Sequence, residues 1–282
     1  MKDTKPFLKD SSMPRALAGG AAPAALTQTV ANGEALPLAD TLLHVDALSH
    51  IDTWVFDLDN TLYPADCDLW PKIDQRITLY LSYLFGLDGM SSRALQKYYY
   101  QRYGTTLRGL MEEHGIGPAE FLDFTHDIDR SCLLPDLALA SAITDLPGRK
   151  LILTNGSREH SLRTARALGL EAMFEDIFDI ADADFVPKPA AATYERFFER
   201  HAVDPARAVM FEDLANNLIV PHERGMMTVL VVPKPGQLDH RDPFEIFREA
   251  APPYIDFVTS DLARFLKGGA RMPRTGRTFS SY

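Results

Sequence analysis

The chain has 282 residues, 46% of them hydrophobic and 24% charged, with a formal net charge of −10 at pH 7. That length suits one large domain, or a core plus a smaller module, around an ordinary packed interior. The acidic balance disfavours broad contact with a nucleic-acid backbone or an anionic membrane, and leaves open a small anionic substrate whose charge a cation and a few donors can meet locally.

Residues 1–44 lack periodicity and are rich in Ala, Gly, Pro and Thr, which predicts a disordered N-terminal tail. Within it Ala16 to Leu26 follows Lys9 and Arg15 as the apolar core of a signal peptide would, but Gly19, Gly20 and Pro23 interrupt it, and a tail is the better reading. Short apolar runs then alternate with helical patterns. The strands predicted are Thr53–Phe56, Lys150–Leu153, Asp176–Asp179, Ala208–Phe211 and Thr228–Val232, and the helices are Ser157–Leu168, Ala191–His201 and Leu214–Glu223. Strands that are apolar throughout and alternate with helices belong to a parallel sheet covered on both faces. The expected class is therefore α/β, with a Rossmann-like parallel sheet core.

Residues 66–133 interrupt this alternation. They show only helical patterns (Leu69–Phe85, Ser91–Tyr103, Pro118–Ile128) broken by glycines, and read as an inserted all-helical cap. The core is then 45–65 together with 134–267, followed by a flexible tail over 268–282. No apolar stretch approaches the ~18 residues of a membrane span. Cys67 and Cys132 have no metal-type spacing and are expected as structural thiols of a reducing, cytoplasmic compartment, not as a disulfide framework.

Ligands on such sheets sit beyond the carboxyl ends of the strands, and four segments with chemistry lie at such positions. The first is Asp57-Leu58-Asp59-Asn60-Thr61-Leu62, two carboxylates two residues apart after Trp54-Val55-Phe56. They suit a nucleophile beside an acid/base, or a plain acidic turn. In the second, Thr154-Asn155-Gly156 precedes a helix, which suits phosphate or simple N-capping. The third holds Lys188 between Pro187 and Pro189, in a stiff loop that aims the ammonium, or in an ordinary exposed one. The fourth ends a strand in Glu212-Asp213, with Asn216 and Asn217 shortly after. If Asp213 faces Asp57, these carboxylates repel unless a hard cation such as Mg²⁺ sits among them.

Taken together and in this order, the four segments resemble the haloacid dehalogenase (HAD) superfamily over about Ile51 to Val232. The resemblance implies Asp57 as nucleophile and Asp59 as general acid/base. Thr154, Asn155 and Lys188 would bind phosphate. Asp57, Asp213 and the Asp59 carbonyl would hold Mg²⁺, with Glu212 (through water) and Asn217 behind them. Asp59 points to a phosphatase, since the dehalogenases lack an acid there. Asn217 departs from the second Asp of many relatives. Asp57 to Pro64, Tyr103 to Leu110 and His126 to Asp129 further resemble the pyrimidine 5′-nucleotidase branch. Tyr103, Thr105, Thr106 and Arg108 then become candidates for substrate choice, although Tyr98, Tyr99, Tyr100 and Tyr103 also suit plain helix packing. The expected reaction is Mg²⁺-dependent hydrolysis of a pyrimidine nucleoside monophosphate through an aspartyl-phosphate. The alternatives are a sugar phosphate or another small phosphorylated metabolite as substrate, or a non-catalytic binding protein on the same fold. The sequence leaves oligomeric state open.

Overall fold

The computed structural model describes residues 48–246 and 251–269. The predicted N-terminal tail and most of the predicted C-terminal one lie outside them. Six strands form one sheet: β1 (Thr53–Phe56), β2 (Arg149–Leu153), β3 (Asp176–Phe178), β4 (Ala208–Glu212), β5 (Met227–Val231) and β6 (Phe257–Thr259). Their order is β3-β2-β1-β4-β5-β6, with every pairing parallel. β1 is central, and Phe56 pairs with Ile152 on one side and Phe211 on the other. Strand order reverses at β1, so the crevice at its carboxyl end is where such sheets bind ligands.

The strands are apolar throughout because both faces are covered. Side chains alternate across the sheet: Trp54, Phe56, Ile152, Val209, Phe211 and Val229 enter one buried cluster, while Val55, Leu151, Leu153, Met210 and Leu230 enter the other. On the first face Phe56 stacks on Phe211 with ring centroids 4.8 Å apart. That packing holds β1 and β4 in register just before both strands end in carboxylates.

Between β1 and β2 run α1 (Leu69–Phe85), α2 (Gly89–Tyr103), α3 (Thr106–His114) and α4 (Pro118–His126), then α5 (Leu137–Thr144). The first four share a cluster of their own around Tyr80, Leu81, Tyr99, Leu107, Leu110 and Phe121. Asp88 accepts from the Met90 and Ser91 amides to start α2, and Thr105 accepts from the Arg108 amide to start α3. Gly109 lets α3 approach α2, since a Cβ there would lie 2.5 Å from the Tyr99 ring. After β2 come α6 (Arg158–Ala167), α7 (Ala191–His201), α8 (Ile219–Glu223) and α9 (Leu262–Gly269).

Four elements were not anticipated: α3, α5, α9 and β6. Gly109 weakens the helical pattern of α3, and β6 is a three-residue edge strand. The predicted helix Leu214–Glu223 divides into a 3₁₀ turn, Ala215–Leu218, and α8. Asp179 was placed in a strand but lies just past β3, where its carboxylate accepts from the Arg158 and Asp182 amides.

Candidate active site

Asp57 follows β1 directly, its amide still bonded to the Phe211 carbonyl at 2.9 Å. Glu212 ends β4 and Asp213 follows it, so parallel pairing brings all three carboxylates together. One oxygen from each lies within 4.8 Å of the others, and all three residues are buried. Lys188, 2% exposed, reaches them from the loop before α7. Its ammonium donates to Asp57 Oδ1 at 2.7 Å, Glu212 Oε1 at 2.8 Å and the Leu153 carbonyl at 2.9 Å. Asn155 fixes that loop, since its side chain accepts from the Lys188 amide at 2.8 Å and donates to the Lys188 carbonyl at 3.2 Å. Asn155 is thus placed as a clamp on the lysine. Thr154 is buried between Asn155 and β2, and its hydroxyl accepts from the Gly156 amide at 3.0 Å.

The electrostatics follow from burying three acids around one ammonium. Burial pushes Asp57 up to about 7; Lys188 pulls it down and Glu212 pushes it up. Asp213 is raised well above the usual carboxylate range by burial, then by Glu212 and Asp57. For Glu212 burial also acts upward, but Lys188, Asp213 and the Leu214 amide outweigh it and hold the group low. Glu212 is the lysine's ionised partner, and Asp213 binds its proton more tightly than an ordinary carboxylate does. Three acids share one ammonium only because Asp57 and Asp213 hold their protons tightly; a cation would take the place of those protons, and every available donor is a hard oxygen. This set fits Mg²⁺. Glu212 spends Oε1 on Lys188 and Asn217 and Oε2 on the Leu214 amide. Asp57 and Asp213 therefore have oxygen to offer a cation, while Glu212 and Asn217 orient the lysine.

Asp59 has a separate set of partners. Its Oδ1 accepts from the Tyr63 hydroxyl at 2.5 Å and lies 2.8 Å from His160 Nε2. Arg130 Nη2 is 2.8 Å from His160 Nδ1, and a guanidinium only donates, so the ring proton sits on Nε2 and points at Asp59. His126 stacks on His160 at 4.5 Å between centroids and meets the Ser157 hydroxyl at 2.9 Å. Burial would raise Asp59, but His160 and Tyr63 outweigh it and lower the carboxyl to about 2. Sequence reading missed His160, Arg130 and the hydroxyl of Tyr63. The available signal was His160, Ser161 and Thr164, polar residues on the buried side of α6.

Above these groups opens a cavity whose far wall is the helical insertion: Trp70, Ile73 and Ile77 from α1, Gln96, Lys97 and Tyr100 from α2, then Thr105, Thr106 and Phe121. The structure sets two of the candidates apart from the rest. Tyr103 and Arg108 do not line the cavity. Tyr103 shares a helix stripe with Tyr99 toward α3 and donates to Glu113 at 2.6 Å, and Arg108 is ion-paired with Glu112 along α3. Thr105 and Thr106 do reach it, Thr105 also capping α3 and Thr106 bonding the Gln96 carbonyl at 3.4 Å. A third wall comes from His240, Arg241, Asp242 and Glu245 after β5. Lys97 pairs with Asp242 at 2.9 Å, Tyr100 donates to Glu245, and Arg241 donates to the Asp213 carbonyl at 3.3 Å. Among the described residues, no helix is long and apolar enough to cross a membrane.

Residues 51–220 match a protein family described as haloacid dehalogenase-like hydrolase. Phosphate metabolism protein 8 of Saccharomyces cerevisiae is 28% identical over 157 residues, which are 50% of this chain and 48% of the yeast protein. The chain thus spans about half the length of that curated relative. Among solved structures, CbbY from Rhodobacter sphaeroides in complex with phosphate aligns with a TM-score of 0.51 at 17% identity, over 77% of this chain and 98% of that one. The L-2-haloacid dehalogenase from Xanthobacter autotrophicus aligns at 0.47 and 19% identity, over 77% and 97%. At such identities the former likeness shows the fold.

Proposed function

This chain belongs to the haloacid dehalogenase-like hydrolases, and we propose that it is a Mg²⁺-dependent phosphomonoester hydrolase working through an aspartyl-phosphate. The observation that carries this reading is Asp59, an acid placed beside the nucleophile and oriented by His160 and Tyr63. Transfer to water from an alkyl phosphate requires a proton donor at the leaving oxygen, which displacement of halide does not. Asp57 attacks phosphorus in line, and its Oδ1 is held by Lys188, whose charge also neutralises the phosphoryl oxygens. Held near 2, Asp59 is ionised at rest. The proton it passes on arrives with the substrate, since a phosphomonoester near its second pKa of about 6 carries one. In the second step Asp59, ionised again, takes a proton from the water that cleaves the acyl phosphate. Asp57 and Asp213 would hold Mg²⁺, which supplies charge neutralisation on the transferring group.

For the substrate, the reading is a pyrimidine nucleoside 5′-monophosphate in the cytoplasm. A cavity pairing flat or apolar surfaces (Trp70, Ile73, Phe121) with the Thr105 hydroxyl suits a base and a ribose. The test is a panel of nucleoside monophosphates, sugar phosphates and aryl phosphates, run on the parent and on Trp70→Ala. Loss of a stacking face should lower kcat/KM for UMP and CMP far more than for a small aryl phosphate. Equal losses on all substrates, or sugar phosphates outranking nucleotides, would overturn the nucleotide reading in favour of another small phosphorylated metabolite. No turnover of any phosphomonoester would favour a binding protein on this fold.

A further inference from the structure

Cys67 and Cys132 are far apart in the chain, yet they occupy corresponding places in the fold. Cys67 closes the 3₁₀ turn Ala65–Cys67, where the chain leaves β1 for the helical insertion. Cys132 lies where the chain comes back from α4 toward α5. These are the two crossings that join α1–α4 to the sheet. Both residues pack on the same core cluster, both are partly exposed, and neither is oxidised. The two side chains are within hydrogen-bonding reach of each other, and Lys72 Nζ stands 3.9 Å from Cys132 Sγ.

We infer that Cys67 and Cys132 form a reversible dithiol–disulfide site that ties the two crossings together and clamps the helical insertion onto the core. The insertion supplies the far wall of the cavity, so tying these crossings restrains that wall against the catalytic groups of the core. In a reducing compartment the pair stays as two thiols, and closure accompanies oxidative load. The oxidant is a low-molecular-weight disulfide such as oxidised glutathione. The Cys132 thiolate, beside the Lys72 ammonium, attacks one of its sulfurs, forming a mixed disulfide and releasing one glutathione thiolate. Cys67 gives its proton to solvent and attacks the Cys132 sulfur, displacing the second. Two protein thiols are oxidised and one external disulfide is reduced to two thiols. Burial pushes the Cys67 thiol up to about 12, so this second displacement is the slow one.

The experiment uses the full chain, which contains only these two cysteines. The protein is equilibrated with reduced and oxidised glutathione over a range of ratios, then alkylated and weighed intact. The expected product has lost two hydrogens, carries no glutathione, and yields one peptide joining Cys67 to Cys132. Hydrogen exchange at residues 64–68 and 127–136 should slow by roughly ten-fold on oxidation. Turnover of an aryl phosphate should fall several-fold and return with dithiothreitol. Cys132→Ser should lose all three responses, and Cys67→Ala serves as a second variant should the first fold poorly. Thiols that remain alkylatable at the oxidising end, or only glutathione adducts, would overturn the site. A disulfide that leaves exchange at the crossings unchanged would overturn the clamp. Mass and exchange need no activity, so failure of the phosphatase reading would register separately.

Discussion

Replacing Asp57 by Asn should abolish turnover and, in metal-free buffer near neutral pH, make the protein more stable. The Asp57 carboxyl is pushed from 3.8 to about 7 by burial, with Lys188 opposing and Glu212 reinforcing. The folded chain therefore holds this proton more tightly than the unfolded chain does. The stability this confers is full below the unfolded value and is lost as pH rises from 3.8 toward 7. A shift of about 3 units at ~1.4 kcal/mol each amounts to ~4 kcal/mol by pH 7.5. An asparagine has nearly the same shape, is neutral at every pH and escapes that loss. Lys188 keeps Glu212 and the Leu153 carbonyl, so its own charge stays paired in the variant. His126, lowered to about 3 by burial and then by His160, titrates in the opposite sense, adding stability as pH rises from about 3 to 6.5. It is present in both proteins and cancels in their difference. The assay is urea and thermal unfolding of both proteins in EDTA at pH 4.5 and 7.5. The expected result is near-equal stability at the lower pH and a variant melting roughly 10 °C higher at the upper one. Adding Mg²⁺ should narrow the gap, because the cation takes the place of the proton on the parent alone. A variant no more stable than the parent at pH 7.5 in EDTA would refute the reasoning.

Asp59→Asn should slow alkyl phosphates by ~10²–10⁴-fold and an activated aryl phosphate much less, because a good leaving group needs little protonation; equal losses on both would count against Asp59 as the acid. EDTA should abolish turnover and Mg²⁺ restore it, whereas Ca²⁺, with larger and looser coordination, should restore it poorly; full activity in metal-free buffer would remove the metal from the reaction. Gly148→Ala should destabilise by ~3 kcal/mol or more with folded-state kinetics little changed, since the residue has φ +75° and its Cβ would meet the Asp52 carbonyl oxygen at 2.1 Å. Chemical denaturation beside steady-state kinetics checks this.

The strands that carry Asp57, Thr154, Glu212 and Asp213 were legible because strands buried on both faces are continuously apolar, and a break into polar residues marks the carboxyl end. The helix of Leu69–Phe85 was readable to its ends for a similar local reason, a long period closed by Gly86. β6 was not readable, since three residues at a sheet edge carry too little pattern. The polar residues His160, Ser161 and Thr164 of α6 recur at helical spacing, but nothing in them named Asp59 and Arg130 as partners.

Composition, periodicity and strand-end polarity thus determined, from the chain alone, a parallel α/β sheet with acids at the carboxyl ends of its strands; the lysine was drawn to that edge only by the family resemblance. Each of those features depends on residues a few positions apart. Only the tertiary structure decided that Tyr100 faces the cavity while Tyr103 and Arg108 do not, that Asn155 holds the lysine loop, and that Cys67 meets Cys132. The rotation of α2 and α3 about their axes is set by packing of the Tyr99, Leu107 and Leu110 cluster. Contacts such as His160 to Asp59 join residues 101 positions apart. Local preference carries no information at that range, because the pairing exists only once the helix and the sheet have docked.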